Sequence, residues 1–112
     1  HPIQGWSPNF IPGQLIDGML RIKPDAVIAV TGDESLKMAK RLAKEEGIFT
    51  GVSGGGSVAG AVKVATENPG SVVLTIVPDT AERYQSGLLF EDVAATMSEE
   101  EQAIMKMGKK FN

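Results

Sequence analysis

The residues from Gly51 to Ser57 read Gly-Val-Ser-Gly-Gly-Gly-Ser, and they lie between an apolar run and a helical pattern. Glycines let other groups approach the backbone closely, and a serine hydroxyl can act as a nucleophile, a donor or an acceptor. A turn of this composition can hold an anion, present a nucleophile or accommodate a flat cofactor. The hydroxyl of Ser53 is therefore the first candidate functional group.

Residues 51–55 match the G-x-S-x-G pattern of the nucleophile elbow in α/β hydrolases, which also joins a strand to a helix. In those enzymes an acid and then a histidine follow the serine along the chain. The only histidine here is His1, so none follows Ser53. A serine hydroxyl without a base is a poor nucleophile. An unrelated α/β hydrolase is disfavoured, and it is kept as an alternative.

The same glycines also suggest a phosphate-binding turn, because backbone N–H groups at a helix N-terminus attract anions. However, the turn lacks the lysine of a P-loop and does not match G-x-G-x-x-G in the required register. A purely structural interpretation is a tight turn whose glycines permit close helix–sheet packing. The turn taken alone leaves these interpretations open.

The composition narrows the classes of function. The chain has 112 residues, a net charge of -3, no cysteine and no basic run, so we expect no nucleic-acid partner. No apolar stretch is long enough to cross a bilayer, and a metal site would have to consist of carboxylates that are not suitably clustered. We predict one domain over residues 1–112, in which residues 91–112 form a terminal helical extension.

Helix boundaries are marked by local signals. Thr31 and Glu34 have the spacing of a capping box, and Gly47 is suited to end the helix that they begin. A second capping box is formed by Ser98 and Glu101. Between these two helices, apolar residues recur at helical spacing after the glycine turn, and an Asn-Pro-Gly sequence ends that helix; the repeating residues are Val58, Ala61, Val62 and Ala65.

Three short apolar runs, residues 26–30, 48–52 and 71–77, have the length and composition of buried strands. With the helices between them they give the order β-α-β-α-β, which predicts an α/β fold with a parallel sheet and right-handed crossovers. The third run is the most apolar, and if it is the central strand we predict that Ile76 is buried.

Ligands of open parallel sheets bind beyond the carboxyl ends of the strands. Ser53 follows the second predicted strand, and Pro78 and Asp79 follow the third. If these strands are neighbours, the three residues line one crevice. A serine hydroxyl there can hydrogen-bond a ring nitrogen without introducing a charge, and the glycines let a flat ring lie close to the backbone.

Several segments together resemble the C-terminal part of cysteine synthase (O-acetylserine sulfhydrylase), a pyridoxal-phosphate enzyme whose close relative is cystathionine β-synthase. The resemblance covers residues 1–90 and is carried, in order and spacing, by HPIQGWSPNFIP, AKRLAKEEGIFTGVSGGGSVAGAVKVA and VVLTIVPDTAERYQSGLLF. It implies the tryptophan-synthase-β-like fold, known as fold type II of pyridoxal-phosphate enzymes.

The resemblance also implies roles for individual residues. Ser53 is similar to the family serine that hydrogen-bonds the pyridine nitrogen of the cofactor. Pro78 and Asp79 resemble the segment that passes beside the cofactor ring, although the following residues, Thr and Ala, depart from the family's Ser and Gly. Gly5 resembles a glycine whose backbone borders the substrate. The neighbouring Arg83 and Tyr84 are interpreted as a structural pair.

The family's cofactor-binding lysine, substrate-carboxylate loop and phosphate loop precede the segment that begins with HPIQG, and no match to them occurs here. The helical lysines Lys37, Lys40, Lys44 and Lys63 have ordinary spacing and are interpreted as solvated surface charges. We therefore expect the C-terminal portion of such an enzyme, inactive alone and without a covalently bound cofactor.

The parent enzyme implied by the resemblance replaces the acetoxy group of O-acetylserine with sulfide to give cysteine. A homodimer in the cytoplasm with a small amino-acid substrate is implied in the same way. Two alternatives remain open: a non-catalytic binding or interaction module that keeps part of the fold, and β-replacement of the cystathionine β-synthase type.

Overall fold

The computed structural model of the chain describes Ile3, Trp6 and residues 9–85 and 87–108. Within these residues the regular structure is helical. The α-helices are α1 (Gly13–Arg21), α2 (Gly32–Arg41), α3 (Val52–Glu67) and α4 (Glu99–Gly108). A π-helical turn, Leu42–Glu46, extends α2, and two short 3-10 turns occur at Ala81–Tyr84 and Leu88–Phe90.

The start of α2 is the capping box that the sequence predicts. The Glu34 amide donates to the Thr31 hydroxyl at 3.2 Å, and the Thr31 amide donates to the Glu34 carboxylate at 2.7 Å. Gly47 follows the π-helical turn with a φ of 68°, a left-handed conformation that favours glycine. Both predicted ends of this helical segment are confirmed.

Helix α3 begins earlier than the sequence suggests, because the predicted glycine turn is itself helical. Gly51 is the N-cap, and the following Ser-Gly-Gly-Gly-Ser residues occupy the first turns of the helix. Glycine costs about 1 kcal/mol relative to alanine inside a helix, so local propensity argues against helix here. The helix ends as predicted, at Asn68, with Gly70 at a φ of 81°.

The close approach of α2 and α3 explains these glycines. A Cβ atom on Gly55 would lie 2.2 Å from the carbonyl oxygen of Ser35, and one on Gly56 would lie 2.8 Å from the Ser35 hydroxyl. Ser35 and Ala39 are buried, and the Ser35 hydroxyl donates to the Thr31 carbonyl at 2.8 Å. The glycines permit close packing, as the structural interpretation proposes, but the packing is between two helices.

One lysine strengthens the same contact. The Lys63 ammonium group on α3 lies 2.8 Å from a carboxylate oxygen of Glu34 on α2 and donates to the carbonyl of Ala29 at 2.9 Å. Lys40 likewise pairs with Asp92 at 2.6 Å. Both lysines keep more than a third of their side-chain surface exposed, at 40% for Lys63 and 34% for Lys40, and they are surface charges that also have a carboxylate partner.

A small apolar cluster includes residues of α2 and of the two 3-10 turns. Ala39, Ala81 and Leu89 are buried at its centre, and three partly buried side chains, Leu36, Tyr84 and Phe90, surround them. The ring of Phe90 also contacts that of Phe49, with centroids 5.6 Å apart. This cluster fixes the 3-10 turns, and with them Tyr84, against the helix pair.

The predicted parallel sheet is not confirmed, because no strand is assigned among the residues that the structure describes. One isolated antiparallel bridge joins Thr50 to Thr80, and the Ala81 amide donates to the Phe49 carbonyl at 3.3 Å. A strand is defined by a hydrogen-bonded neighbour, and the extended residues 26–30 and 71–77 form no ladder with each other in this structure.

The burial predicted for the third apolar run is wrong for this chain. Ile76 is 72% exposed, and Val72 and Leu74 are 100% and 93% exposed. Apolar composition predicts that a segment prefers burial, but burial requires a second surface, and the described residues do not supply one here.

Near the C-terminus the second predicted capping box forms. The Glu101 amide donates to the Ser98 hydroxyl at 3.2 Å, and the Ser98 amide donates to the Glu101 carboxylate at 2.7 Å. Helix α4 has no buried residue, and residues 109–112 of the predicted extension lie outside the described residues. None of the described helices combines the length and apolar character that a membrane span requires.

Candidate functional site

An open cavity of about 380 Å³ lies where the helix pair meets the 3-10 turns. Its volume falls within the range of about 300–1,000 Å³ that is usual for small-molecule sites. Ser53 is part of its wall, as the sequence predicts for a ligand site. The residues that line the cavity are Ile3, Gly32, Asp33, Leu36, Val52, Ser53, Tyr84, Gly87, Leu88 and Leu89.

Two helix N-termini meet at this cavity. Gly32 and Asp33 are the first residues of α2, and Val52 and Ser53 are the first residues of α3. The first N–H groups of a helix have no partner within the helix, and the positive end of the helix dipole lies beside them. The cavity wall therefore combines hydrogen-bond donors with a neutral hydroxyl, and the carboxylate of Asp33 adds a negative charge.

The predicted residues after the third apolar run take different positions. Pro78 is exposed and does not line the cavity. Asp79 is partly buried and lies behind the wall, where one carboxylate oxygen accepts a hydrogen bond from the phenol of Tyr84. This hydrogen bond is the main cause that raises the pKa of Tyr84, and burial adds to it. Tyr84 is paired with Asp79, whereas Arg83 is exposed.

The bridge between Thr50 and Thr80 joins the segment just before Ser53 to the segment that contains Asp79. The buried Thr50 hydroxyl lies 3.3 Å from the carbonyl of Asp79, within hydrogen-bond distance. Ser53 and Asp79 are thereby held on adjacent segments, as the crevice hypothesis requires, although only Ser53 faces the cavity. Gly5, the predicted substrate contact, lies outside the described residues.

Sequence reasoning missed two parts of the wall. The start of α2 was predicted from its capping box, but nothing local indicated that it lies beside Ser53. Tyr84 was assigned a structural role, and its ring lines the cavity. The described residues contain no group of three or more acidic or histidine side chains placed to hold a metal ion.

Comparison with known proteins identifies the class. The family model for pyridoxal-phosphate dependent enzymes matches residues 1–79, which is more than half of the chain. The chain therefore belongs to the pyridoxal-phosphate dependent enzyme family, and its parent enzymes use pyridoxal phosphate as cofactor.

Individual relatives are more specific. The chain is 43% identical over 94 residues to O-ureido-L-serine synthase of Streptomyces lavendulae, covering 83% of this chain and 28% of that protein. It is 38% identical over 95 residues to cysteine synthase A of Salmonella typhi, with the same shares covered. The resemblance to cysteine synthases is thereby confirmed, and the chain spans 28% of the length of these curated relatives.

Comparison with solved structures agrees with the comparison of sequences. A crystal structure of a lysine-to-alanine mutant of O-ureido-L-serine synthase, with O-ureido-L-serine bound, matches with a TM-score of 0.78 and 38% identity. The match covers 95% of this chain and 32% of that one. A second structure of O-ureido-L-serine synthase matches with a TM-score of 0.74. The predicted fold family is confirmed, while the predicted order of strands is not.

The residues of the cavity fit part of the cofactor. The apolar side chains of Leu36 and Val52 and the ring of Tyr84 suit a flat aromatic ring, and Ser53 can hydrogen-bond a ring nitrogen. Among the described residues that line the cavity there is no lysine or arginine. This chain thus presents groups for the ring, and the described residues of this wall include no lysine for covalent attachment and no cationic side chain for a phosphate.

Proposed function

We propose that the chain is the C-terminal portion of a pyridoxal-phosphate dependent enzyme that performs β-replacement on an activated serine, and that Ser53 binds the pyridine nitrogen. The observation that carries this proposal is the position of Ser53. It lies in the first turn of α3, on the wall of a cavity that it shares with the start of α2 and Tyr84.

The chemistry depends on the neutrality of the group that faces the nitrogen. When bound, pyridoxal phosphate supplies an electron sink for bonds at the α and β carbons of an amino acid. A serine hydroxyl brings no negative charge, so it does not favour protonation of the nitrogen as a carboxylate would. The carboxylate of Asp79, which follows the third apolar run, is bonded to Tyr84, and that of Asp33 belongs to the start of α2 and not to the helix that carries Ser53. Ser53 therefore favours elimination and replacement over transamination.

The proposed substrate is O-acetylserine, with sulfide as the second substrate and cysteine as the product. The names of two relatives, a cysteine synthase and an O-ureido-L-serine synthase, imply different groups on the β carbon of the product. Cysteine and O-ureido-L-serine share an alanine skeleton that carries a sulfur or an oxygen substituent on the β carbon. Homocysteine would be the partner in the cystathionine β-synthase type of reaction.

Binding of pyridoxal phosphate to the 112-residue chain tests the central claim. We expect non-covalent binding, which Trp6 fluorescence and the absorbance of the cofactor can follow. Ser53→Ala should weaken it by about two- to tenfold, the effect of one hydrogen bond. Ser57→Ala is the matched control, because Ser57 is on the same helix and does not line the cavity. Equal affinity of both variants would contradict the proposal.

Two chemical probes separate the remaining interpretations. Borohydride reduction of the mixture should leave no single lysine modified in stoichiometric yield, because the family's lysine has no counterpart in this chain. A fluorophosphonate should leave Ser53 unlabelled, and stoichiometric labelling would favour a serine hydrolase. For the parent reaction, an enzyme that joins this segment to the lysine-bearing part of the fold is assayed with O-acetylserine and each nucleophile in turn.

A non-catalytic interaction module is the second candidate, and the exposed apolar segments favour it. Val72 and Leu74 are almost fully exposed, and large exposed apolar patches commonly mark contacts with other chains. Self-association without cofactor binding, measured by sedimentation, would support this module. The homodimeric state and the cytoplasmic location of the parent enzyme stay predictions.

A further inference from the structure

We propose that Asp79 and Tyr84 form a positioning pair, which holds the N-cap of α3 in place and so directs Ser53 to the cavity. This inference rests on the proposed function for the role of Ser53. Its geometric part concerns only this chain, and it can be tested without cofactor.

The two carboxylate oxygens of Asp79 differ in their hydrogen bonding. Oδ2 accepts the phenolic proton of Tyr84, while Oδ1 is buried and has no hydrogen-bond partner among the described residues. Buried polar atoms are nearly always paired, so an unpaired one calls for an explanation. The backbone of Asp79 is held as well, because its carbonyl oxygen lies 3.3 Å from the hydroxyl of the buried Thr50.

The unpaired oxygen of Asp79 lies against Gly51. A Cβ atom on Gly51 would lie 2.5 Å from Oδ1 of Asp79 and 2.5 Å from Cε2 of the Tyr84 ring. The pair therefore packs directly on the Cα of Gly51, at a distance that only glycine allows. Gly51 is buried and is the N-cap of α3, and its carbonyl accepts the first helical hydrogen bond, from the Gly55 amide at 3.1 Å.

The same ring reaches the site. Tyr84 contacts the N-cap on one side and lines the cavity together with Val52 and Ser53, the two residues that follow Gly51. Displacement of the ring would move the start of the helix and alter the wall at the same place. The phenol of Tyr84 is neutral near pH 7 already at its ordinary pKa, and the hydrogen bond to Asp79 raises that pKa further, so the proton that Tyr84 donates is present.

The first measurement is the ionisation of Tyr84, which is the single tyrosine of the chain. The phenolate absorbance should show a pKa above the ordinary value of a tyrosine, and Asp79→Asn should lower that pKa towards it. Glu82→Gln, an exposed neighbour outside the pair and the cavity, should leave it unchanged. An ordinary pKa in the unsubstituted chain would overturn the proposal.

The second measurement is amide hydrogen exchange at Gly55, whose N–H bonds the N-cap carbonyl. Tyr84→Phe removes the hydrogen bond and keeps the ring, and it should speed this exchange by about two- to tenfold, the effect of one hydrogen bond. Amides in the middle of α2 should be unaffected. Uniform acceleration throughout both helices, or none at Gly55, would show that the pair does not position the N-cap.

The third measurement separates positioning from general stability. Tyr84→Phe should weaken pyridoxal phosphate binding when Ser53 is present and should have little further effect in the Ser53→Ala background, because both changes act through one contact. Additive effects would overturn the link to Ser53. If the unsubstituted chain binds no cofactor, the proposed function fails, while the ionisation of Tyr84 and the exchange of Gly55 still decide whether the pair exists.

Discussion

The α2–α3 helix pair and the apolar extended residues 26–30 and 71–77 differ in whether the chain itself supplies their partner. Along the helix pair, Gly54, Gly55 and Gly56 are buried against the neighbouring residues. In the extended segments, Val27 is 87% exposed and Val72 is completely exposed. The more apolar of the two regions is thus the less buried.

The difference follows from how each kind of backbone satisfies its hydrogen bonds. A helix pairs its own N–H and C=O groups, so it needs only a surface of matching shape, and small residues supply one. An extended segment needs a neighbour for its backbone and another layer for its side chains. Ser53 belongs to the helix pair, whose buried residues find their partners within this chain, and Asp79 follows a segment with largely exposed side chains.

The largest expected effect breaks the helix pair. Gly55→Ala places a Cβ 2.2 Å from the carbonyl oxygen of Ser35 and 2.7 Å from the Ala39 amide nitrogen. The free energy of unfolding, measured in urea, should fall by about 1–3 kcal/mol. Gly60→Ala is the matched control on the same helix, because its nearest neighbour would be Val30 at 3.6 Å. There the higher helix propensity of alanine should stabilise the chain by about 0.5–1 kcal/mol.

The same sign for both alanine variants would contradict the comparison. A gain at Gly55 would mean that the two helices are further apart than the structure has them.

The next effect sharpens the contrast between packed and unpacked helices. Thr31→Ala removes the cap of α2 and should lower the free energy of unfolding by about 1 kcal/mol. Ser98→Ala removes the same kind of cap from α4, which has no buried residue. Its effect on global unfolding should stay below about 0.5 kcal/mol, since an exposed terminal helix can unfold locally. Equal losses would show that α4 unfolds together with the core.

A smaller effect tests the ion pair that joins α2 to α3. The hydrogen bond from Lys63, followed by that from the Thr31 amide, lowers the pKa of Glu34 from 4.5 to about 2. Because the folded pKa lies below the unfolded one, the contribution to stability is complete above pH 4.5 and is lost as the pH falls towards 2. The group is exposed, so solvent screens the interaction and its contribution is small.

The denaturant midpoint should therefore fall less steeply between pH 4.5 and pH 2 in the Lys63→Met variant than in the unsubstituted chain. The control is Lys37→Met on the exposed face of α2. An unchanged acid response in the Lys63 variant would show that the carboxylate is held by the capping box alone.

The smallest effect is expected in the extended region. Ile76→Ala should change the free energy of unfolding by less than about 0.5 kcal/mol, because the side chain is largely exposed. Burial in a central strand would instead predict a loss of about 2–5 kcal/mol. A loss of that size would show that residues 71–77 have found a partner in solution, which a second copy of the chain could provide.

Sequence patterns were most reliable where the deciding interactions are local. The capping boxes of Thr31 and Ser98, the left-handed Gly47 and the end of α3 at Asn68 involve residues close along the chain, and each was predicted. The family resemblance identified the enzyme class, because several segments had to match in order and spacing. The strands predicted for residues 26–30 and 71–77 are not present in the structure. Apolar composition indicates that a segment prefers burial, but it does not specify the surface that would bury it.

By itself, the sequence determined the capping boxes of α2 and α4, the end of α3, the family and the choice of Ser53 as the candidate group, because capping and motif spacing can be read along the chain. Only the tertiary structure decided that the glycine turn is the start of α3, that its glycines face Ser35 and Ala39, and that Asp79 bonds Tyr84. These features depend on distances of a few ångströms between segments far apart in the chain. Such distances are set by which surfaces pack together, and no local pattern of residues encodes them.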